Sequence, residues 1–84
     1  MKIIITRRFE RSFRKLPPEI RERSKDKFKL LLKDASHPSL RVKRVRMYEG
    51  VFECRITGDY RLLFSITKEA YVFLEVGSHD EILR

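Results

Sequence analysis

A short turn between two alternating apolar segments is the sequence feature that most restricts the fold. The stretch RITGDYRLLF covers residues 55–64 and has the tripeptide 57–59 at its centre. Apolar and polar side chains alternate on both sides of this turn, which is typical of antiparallel strands with one buried face. A three-residue loop pairs Ile56 with Tyr60 and brings both apolar sets to one side of the sheet. A two-residue loop would set apolar residues against polar ones, so the sequence predicts the three-residue hairpin.

The same register places Arg55 directly opposite Arg61 on the polar face of the hairpin. Like charges that face each other across a sheet are unfavourable unless an anion or a carboxylate lies between them. Two interpretations stay open from these residues. The arginines form a phosphate clamp, since guanidinium forks match phosphate oxygens. Alternatively their role is structural, and Glu53, opposite Leu63 and diagonal to Arg61, neutralises one of them.

The segments around the hairpin predict two helices followed by strands. Lys2–Ile5 is predicted as a strand, and Thr6 as the N-cap of a first helix. The pair Pro17 and Pro18 ends that helix and starts a second one, which continues to about Asp34. The later strands are predicted at Val42–Met47, Val51–Ile56, Tyr60–Ile66 and Ala70–Val76.

The resulting order, β-α-α-β-β-β-β, predicts an α+β fold. We expect a small, mainly antiparallel sheet with the N-terminal helical hairpin packed on one face. With 84 residues the chain is expected to form a single domain, 1–84. Homo-oligomerisation through an exposed sheet edge is compatible with this arrangement, but no residue demands it.

Positive charge is concentrated in the first half of the chain, and the net charge is +8. Residues 1–47 contain 16 basic and 5 acidic side chains, whereas residues 48–84 contain 4 basic and 7 acidic ones. Solubility alone would not sort charge by region. The distribution therefore indicates an anionic partner, either nucleic acid, an acidic protein segment or anionic lipid. The predicted strand before the hairpin contains three of these cations, Lys43, Arg44 and Arg46. Arg44 and Arg46 share one side of it and Lys43 lies on the other, and the sequence leaves open which side faces outward.

Few side chains can carry acid–base or metal chemistry. One cysteine and two histidines make a dedicated zinc site unexpected, and we expect neither a metal nor a small-molecule cofactor. With one cysteine no internal disulfide can form, which fits the cytoplasm. No apolar run approaches the roughly 20 residues of a membrane span, so no membrane partner is expected. Cys54 lies on the apolar face and is predicted as packing. His79 can exchange protons near neutral pH or be an ordinary surface residue, and Gly77-Ser78 before it are expected to leave its backbone free.

Two stretches resemble signatures of the RelE/ParE toxin superfamily. GVFECRITGDYRLLF, residues 50–64, is similar to that family's hairpin, and VGSHDEIL, residues 76–83, to its C-terminal segment. The helical hairpin FERSFRKLPPEIRER and the HPSLRVKRV segment also fit. The resemblance implies a RelE-like fold and a small cytoplasmic toxin whose cognate antitoxin is encoded beside it. Such an antitoxin is expected to supply an acidic, partly disordered segment that folds as it binds.

The resemblance also implies roles for individual residues. RelE-like members cleave mRNA in the ribosomal A site without metal, whereas ParE-like members inhibit DNA gyrase. Arg61 matches the arginine at the scissile phosphate, Arg55 a basic residue on the neighbouring strand, and His79 a position used in proton transfer or charge stabilisation. Glu53 replaces a lysine of the family and offers a carboxylate base. Leu83 replaces an aromatic residue that often stacks on a base.

We therefore expect the toxin of a type II toxin–antitoxin system, acting as a ribosome-associated endoribonuclease. The 2′-OH of the mRNA would attack the adjacent phosphate, with charge stabilisation by the arginines. Lys43, Arg44 and Arg46 are expected to bind phosphates of ribosomal RNA. Two alternatives stay open, namely a gyrase inhibitor without catalysis and an inactive family member that only binds an antitoxin.

Overall fold

Helices and strands follow one another nearly as the sequence predicts. The computed structural model describes residues 1–83, so the predicted single domain extends one residue beyond the described part. The elements are β1 (Lys2–Ile5), α1 (Arg7–Arg14), α2 (Pro18–Lys33), β2 (Lys43–Arg44), β3 (Phe52–Arg55), β4 (Tyr60–Ile66), β5 (Ala70–Ser78) and α3 (His79–Ile82), with a 3-10 turn at Pro38–Leu40. The 3-10 turn and α3 are additions to the predicted order. None of the helices in this part of the chain is long and apolar enough to cross a membrane.

Local signals set where the first two helices begin. The Thr6 side-chain oxygen accepts a hydrogen bond from the Phe9 N–H at 3.1 Å, as an N-cap does. The same hydroxyl donates to the Phe73 carbonyl at 2.9 Å, which ties the start of α1 to β5. Pro17 separates the helices, and Pro18 occupies the first turn of α2, where a missing N–H costs little.

The five strands form one sheet in the order β1-β5-β4-β3-β2. β1 runs parallel to β5, and all other neighbouring strands are antiparallel. The predicted α+β fold with a mainly antiparallel sheet is therefore confirmed. The two edges of the sheet are β1 and β2.

The helices cover one face of the sheet with aromatic side chains. The Phe73 ring of β5 lies 5.2 Å from the ring of Phe9 in α1 and 4.8 Å from that of Phe28 in α2, measured between centroids. Cys54 is fully buried in this layer, and burial raises the pKa of its thiol to about 12. The thiol therefore stays protonated and serves as packing, as predicted.

The predicted hairpin register is confirmed, with Arg55 opposite Arg61 and Glu53 opposite Leu63. These residues lie on the face turned away from α1 and α2, which we call the open face. On β5 the pairing skips Leu74, so this residue forms a bulge. The bulge reverses the alternation of side chains along β5.

The predicted strand Val42–Met47 is too long. Regular pairing covers only Lys43–Arg44, and after it the Val45 N–H donates to the Val51 carbonyl at 2.9 Å. The chain then turns back through residues 46–50 to enter β3, so the strand that was predicted up to Met47 ends earlier. Gly50, with φ of 72°, supplies the left-handed conformation that this reversal needs.

Candidate functional site

A capped helical turn holds His79 at the end of β5. The Ser78 hydroxyl accepts from the Glu81 N–H at 3.3 Å, and the Glu81 carboxylate accepts from the Ser78 N–H at 3.3 Å, which is a capping box. The His79 N–H donates to the Asp59 carbonyl at 2.7 Å. The expectation that Gly77-Ser78 leave this backbone free is therefore wrong. The Ser-x-x-Glu spacing in the sequence is the signal that predicts the helical turn.

Gly77 allows α3 to fold back onto the open face. Gly77 pairs with Arg61 across β4 and β5, so both residues belong to that face. A Cβ atom at Gly77 would lie only 3.0 Å from Cγ2 of Ile82. The close approach of α3 to the sheet therefore leaves little room for a side chain at position 77.

Six of the eight predicted site residues line one cavity of about 580 Å³. We call it the β2–α3 cavity, and the predicted residues along it are Lys43, Arg44, Arg46, Glu53, His79 and Leu83. Its walls are formed by β2 and the three residues after it, by Glu53 of β3, and by His79 and Leu83 at the two ends of the C-terminal helical turn. No group of three or more His, Cys, Asp or Glu side chains that could hold a metal ion exists among residues 1–83.

The alternation on β2 sends its two cations to opposite sides. Lys43 pairs with Glu53 and points to the open face. Arg44 pairs with Phe52, and its guanidinium carbon lies 5.8 Å from the centre of the Phe52 ring. Lys43 therefore brings its charge to the carboxylate in the cavity, while the charge of Arg44 is held over an aromatic ring.

Glu53 is the buried carboxylate of the cavity, with 9% of its side chain exposed. Its Oε1 lies 3.7 Å from Nε of Arg61 and 3.9 Å from Nζ of Lys43. A buried carboxylate needs compensating charge, and these two cations supply it. The structural interpretation of Glu53 as a neutralising partner of Arg61 thus has direct geometric support.

Arg61 is anchored by the hairpin loop. Its Nη1 donates to the carbonyl oxygens of Thr57 at 2.8 Å, Gly58 at 3.1 Å and Tyr60 at 3.0 Å. With Nε facing Glu53, the guanidinium has a fixed orientation, and its side chain is only 18% exposed. Within residues 1–83, Nη2 of this group makes no hydrogen bond.

Arg55 lies beside the same loop but lines a different hollow. Its Nη2 would lie 3.6 Å from a Cβ atom placed on Gly58, whose carbonyl binds Arg61. The surrounding hollow, of about 410 Å³, contains Arg23, Lys27 and Arg41. The two guanidiniums therefore share a face and a loop, but only that of Arg61 contacts a residue of the β2–α3 cavity.

The imidazole of His79 is about half exposed at the cavity. Its Nδ1 lies 3.8 Å from Oδ1 of Asp80. Since the backbone of His79 is bound to Asp59 and the guanidinium of Arg61 to Thr57 and Gly58, one loop, residues 57–59, positions both groups. The arrangement places an imidazole at the same cavity as Lys43 and Glu53, with the oriented guanidinium of Arg61 beside Glu53, which suits the binding of a phosphate ester.

Known proteins share this sequence pattern and fold. The family described as "ParE toxin of type II toxin-antitoxin system, parDE" matches residues 3–83. No curated protein sequence matches significantly. A chain of the toxin–antitoxin complex RelBE2 from Mycobacterium tuberculosis is 33% identical, with a TM-score of 0.65, over 92% of this chain and 95% of that one.

Two further solved structures show the same fold at low sequence identity. YafQ from E. coli strain BL21(DE3) has a TM-score of 0.83 at 12% identity, over 99% of this chain and 98% of that one. The RelB–RelE antitoxin–toxin complex from Methanococcus jannaschii contains a chain with a TM-score of 0.76 at 20% identity, over 94% and 93%. The family match over residues 3–83 and the 33% identical chain from Mycobacterium tuberculosis show that the chain belongs to the ParE toxin family, in the RelE/ParE superfamily of type II toxin–antitoxin toxins.

Proposed function

We propose that this toxin is an endoribonuclease that cleaves ribosome-bound mRNA in the cytoplasm without a metal ion. The observation that supports it most is the β2–α3 cavity, where His79 lies at a wall shared with Glu53. Glu53 in turn contacts the anchored Arg61. The likeness of the GDYR hairpin and the C-terminal segment to RelE-like enzymes supports the same reaction.

The RNA supplies its own nucleophile in this reaction. The 2′-OH loses its proton to a base, its oxygen attacks the adjacent phosphorus, and the bond to the 5′-oxygen breaks as that oxygen takes up a proton. The products are a 2′,3′-cyclic phosphate and a 5′-hydroxyl. His79 performs one of the two proton transfers, a contribution of typically about 10²–10⁴-fold.

Charge stabilisation comes from cations that are already oriented. Arg61 presents Nη2 to the phosphate oxygens, and Lys43 adds a second charge near them. Glu53 is the weaker candidate for the base, because burial between two cations suits a carboxylate that orients Arg61. Arg55 adds positive charge from the neighbouring hollow.

The remaining residues of the cavity bind RNA. Lys43, Arg44 and Arg46 contact phosphates of the message or of ribosomal RNA, and Leu83 packs against a base. The ribosome completes the site, because the protein supplies so few catalytic groups that cleavage of free RNA would be slow. The cognate antitoxin blocks the protein with an acidic segment that folds on the cationic surface.

Primer extension on a translated message tests the proposal. Cleavage at defined codons is expected only when ribosomes are present, and His79→Gln should lower its rate by about 10²–10⁴-fold. His37→Gln is the matched control, since that imidazole accepts a hydrogen bond from the Ser39 N–H within the 3-10 turn. If the message stays intact in the presence of the wild-type protein and ribosomes, the nuclease proposal is rejected.

A second candidate is a gyrase inhibitor without catalysis, which the match to the ParE family favours. Such a protein would block DNA supercoiling by purified gyrase and trigger a DNA-damage response rather than translation arrest. Its toxicity would not change in His79→Gln. A protein that fails both assays but binds its antitoxin is the inactive family member that the sequence leaves open.

A further inference from the structure

A cationic hollow beside the hairpin loop has no role in the proton transfers of the proposed reaction. It is an open depression of about 410 Å³, and we define it by the four cations along it, Arg23, Lys27, Arg41 and Arg55. Within the described part of the chain, no aspartate or glutamate lines it. The β2–α3 cavity differs in this respect, because Glu53 there offsets the charge of its cations.

The four cations lack anionic partners within residues 1–83. None of them takes part in an ion pair there. Lys27 donates only to the neutral hydroxyl of Ser39, at 3.2 Å. Arg55 is partly buried, and its side chain has neither a hydrogen bond nor an ion pair in the described chain. Four like charges that line one hollow without a counterion repel one another, so the hollow is suited to an external anion.

Three separate elements bring these cations together. Arg23 and Lys27 lie one turn apart on α2. Arg41 follows the 3-10 turn in a left-handed conformation, with φ of 47°, and the neighbouring Leu40 is fully buried. Arg55 ends β3. The cluster is thus built by the tertiary fold and is more than a charged stripe along one helix.

The position of the hollow, more than its chemistry, favours phosphate diesters, because arginine forks bind carboxylates and phosphates alike. Three of the four cations are arginines, whose planar forks bind phosphate oxygens in pairs. The hollow also adjoins the cavity, since Arg55 lines one and Glu53 the other. These two residues are separated by one position on β3, which corresponds to about 7 Å.

We propose that the cationic hollow binds backbone phosphates of the RNA strand that enters the β2–α3 cavity, next to the bond to be cleaved. The identity of the strand rests on the proposed function. The hollow then serves as a binding site, and Arg55 contacts a phosphate next to the one that reacts.

Fluorescence anisotropy with a labelled, fully 2′-O-methylated oligouridine of about 12 nucleotides tests the proposal. This RNA has no free 2′-OH, so it reports binding whether or not the protein is a nuclease. Arg23→Gln/Arg41→Gln removes two charges of the hollow. Lys29→Gln/Lys33→Gln removes two exposed charges from another face of α2 and is the matched control.

The variant of the hollow should bind about tenfold more weakly at about 100 mM salt. The slope of log affinity against log salt should fall by about 0.7 for each phosphate that the protein no longer neutralises, hence about 1.4 in total. The control should change affinity about twofold or less. Arg23→Lys/Arg41→Lys should recover the slope but only part of the affinity, because the forks are missing.

Equal losses of affinity in the hollow variant and the control would overturn the proposal, since diffuse charge would then explain binding. So would unchanged RNA binding in the hollow variant together with abolished binding of a poly-glutamate peptide, which would assign the hollow to an acidic protein segment. If the protein cleaves no message but shows the expected difference in binding, the nuclease proposal is rejected and the proposal that the hollow binds RNA phosphates is supported.

Discussion

At the scale of single residues, the largely buried charge of Arg61 depends on a buried carboxylate for its compensation. Glu53 faces Arg61 on one side and the mostly exposed Lys43 on the other. Both contacts exceed 3.5 Å, so they act through charge and are not short hydrogen bonds. Glu53 therefore stabilises the charge of Arg61 by electrostatic attraction and not by a hydrogen bond.

Glu53→Gln tests this dependence. The change keeps the shape but leaves Arg61 without its negative neighbour, so we expect a loss of about 1–3 kcal/mol in the free energy of unfolding. Lys43→Gln, at a position that reaches water, should cost less than about 1 kcal/mol. Urea denaturation followed by circular dichroism measures both. Equal losses of unfolding free energy in the two variants would show that Glu53 does not compensate the charge of Arg61.

At the scale of elements, the C-terminal helical turn decides whether His79 reaches the cavity. Two sequence features build it, the Ser78–Glu81 capping box and the small residue Gly77 beneath Ile82. Both can be recognised in the sequence. The bulge at Leu74, which sets Gly77 on the open face, cannot, because it depends on the pairing of β5 with β4.

Gly77→Ala should push α3 away from the open face. The new methyl group would meet Cγ2 of Ile82 at 3.0 Å, so we expect destabilisation by about 1 kcal/mol or more and weaker message cleavage. In an Ile82→Ala background the same change should cost clearly less. A double-mutant cycle of unfolding free energies measures the coupling, and a value of zero would mean that the two residues do not restrain each other.

At the scale of the whole molecule, the net charge of +8 acts on association with the antitoxin. If the antitoxin supplies an acidic segment, long-range attraction accelerates the encounter, and salt screens it. We expect the association rate constant to fall at least tenfold between about 50 and 500 mM salt, with little change in the dissociation rate constant. Stopped-flow mixing with the cognate antitoxin measures both. A salt-independent association rate would contradict this electrostatic picture.

Much of this fold follows from local patterns. The alternation of apolar and polar residues on both sides of residues 57–59 determines the hairpin register, because a shift by one residue would expose apolar side chains to solvent. Thr6 and Pro17-Pro18 determine where the helices start, since caps and missing N–H groups act within one turn. The opposition of Arg55 and Arg61 follows from the same register.

The division of the predicted site into a cavity and a hollow was decided only by the tertiary structure. Arg23, Lys27 and Arg41 are far from Arg55 in the sequence, and packing of α2 and the 3-10 turn beside β3 brings them together. The length of β2, the bulge on β5 and the bonds of loop 57–59 likewise depend on partners distant along the chain. Sequence periodicity records which side of a strand is buried, but long-range packing decides which charged side chains become neighbours.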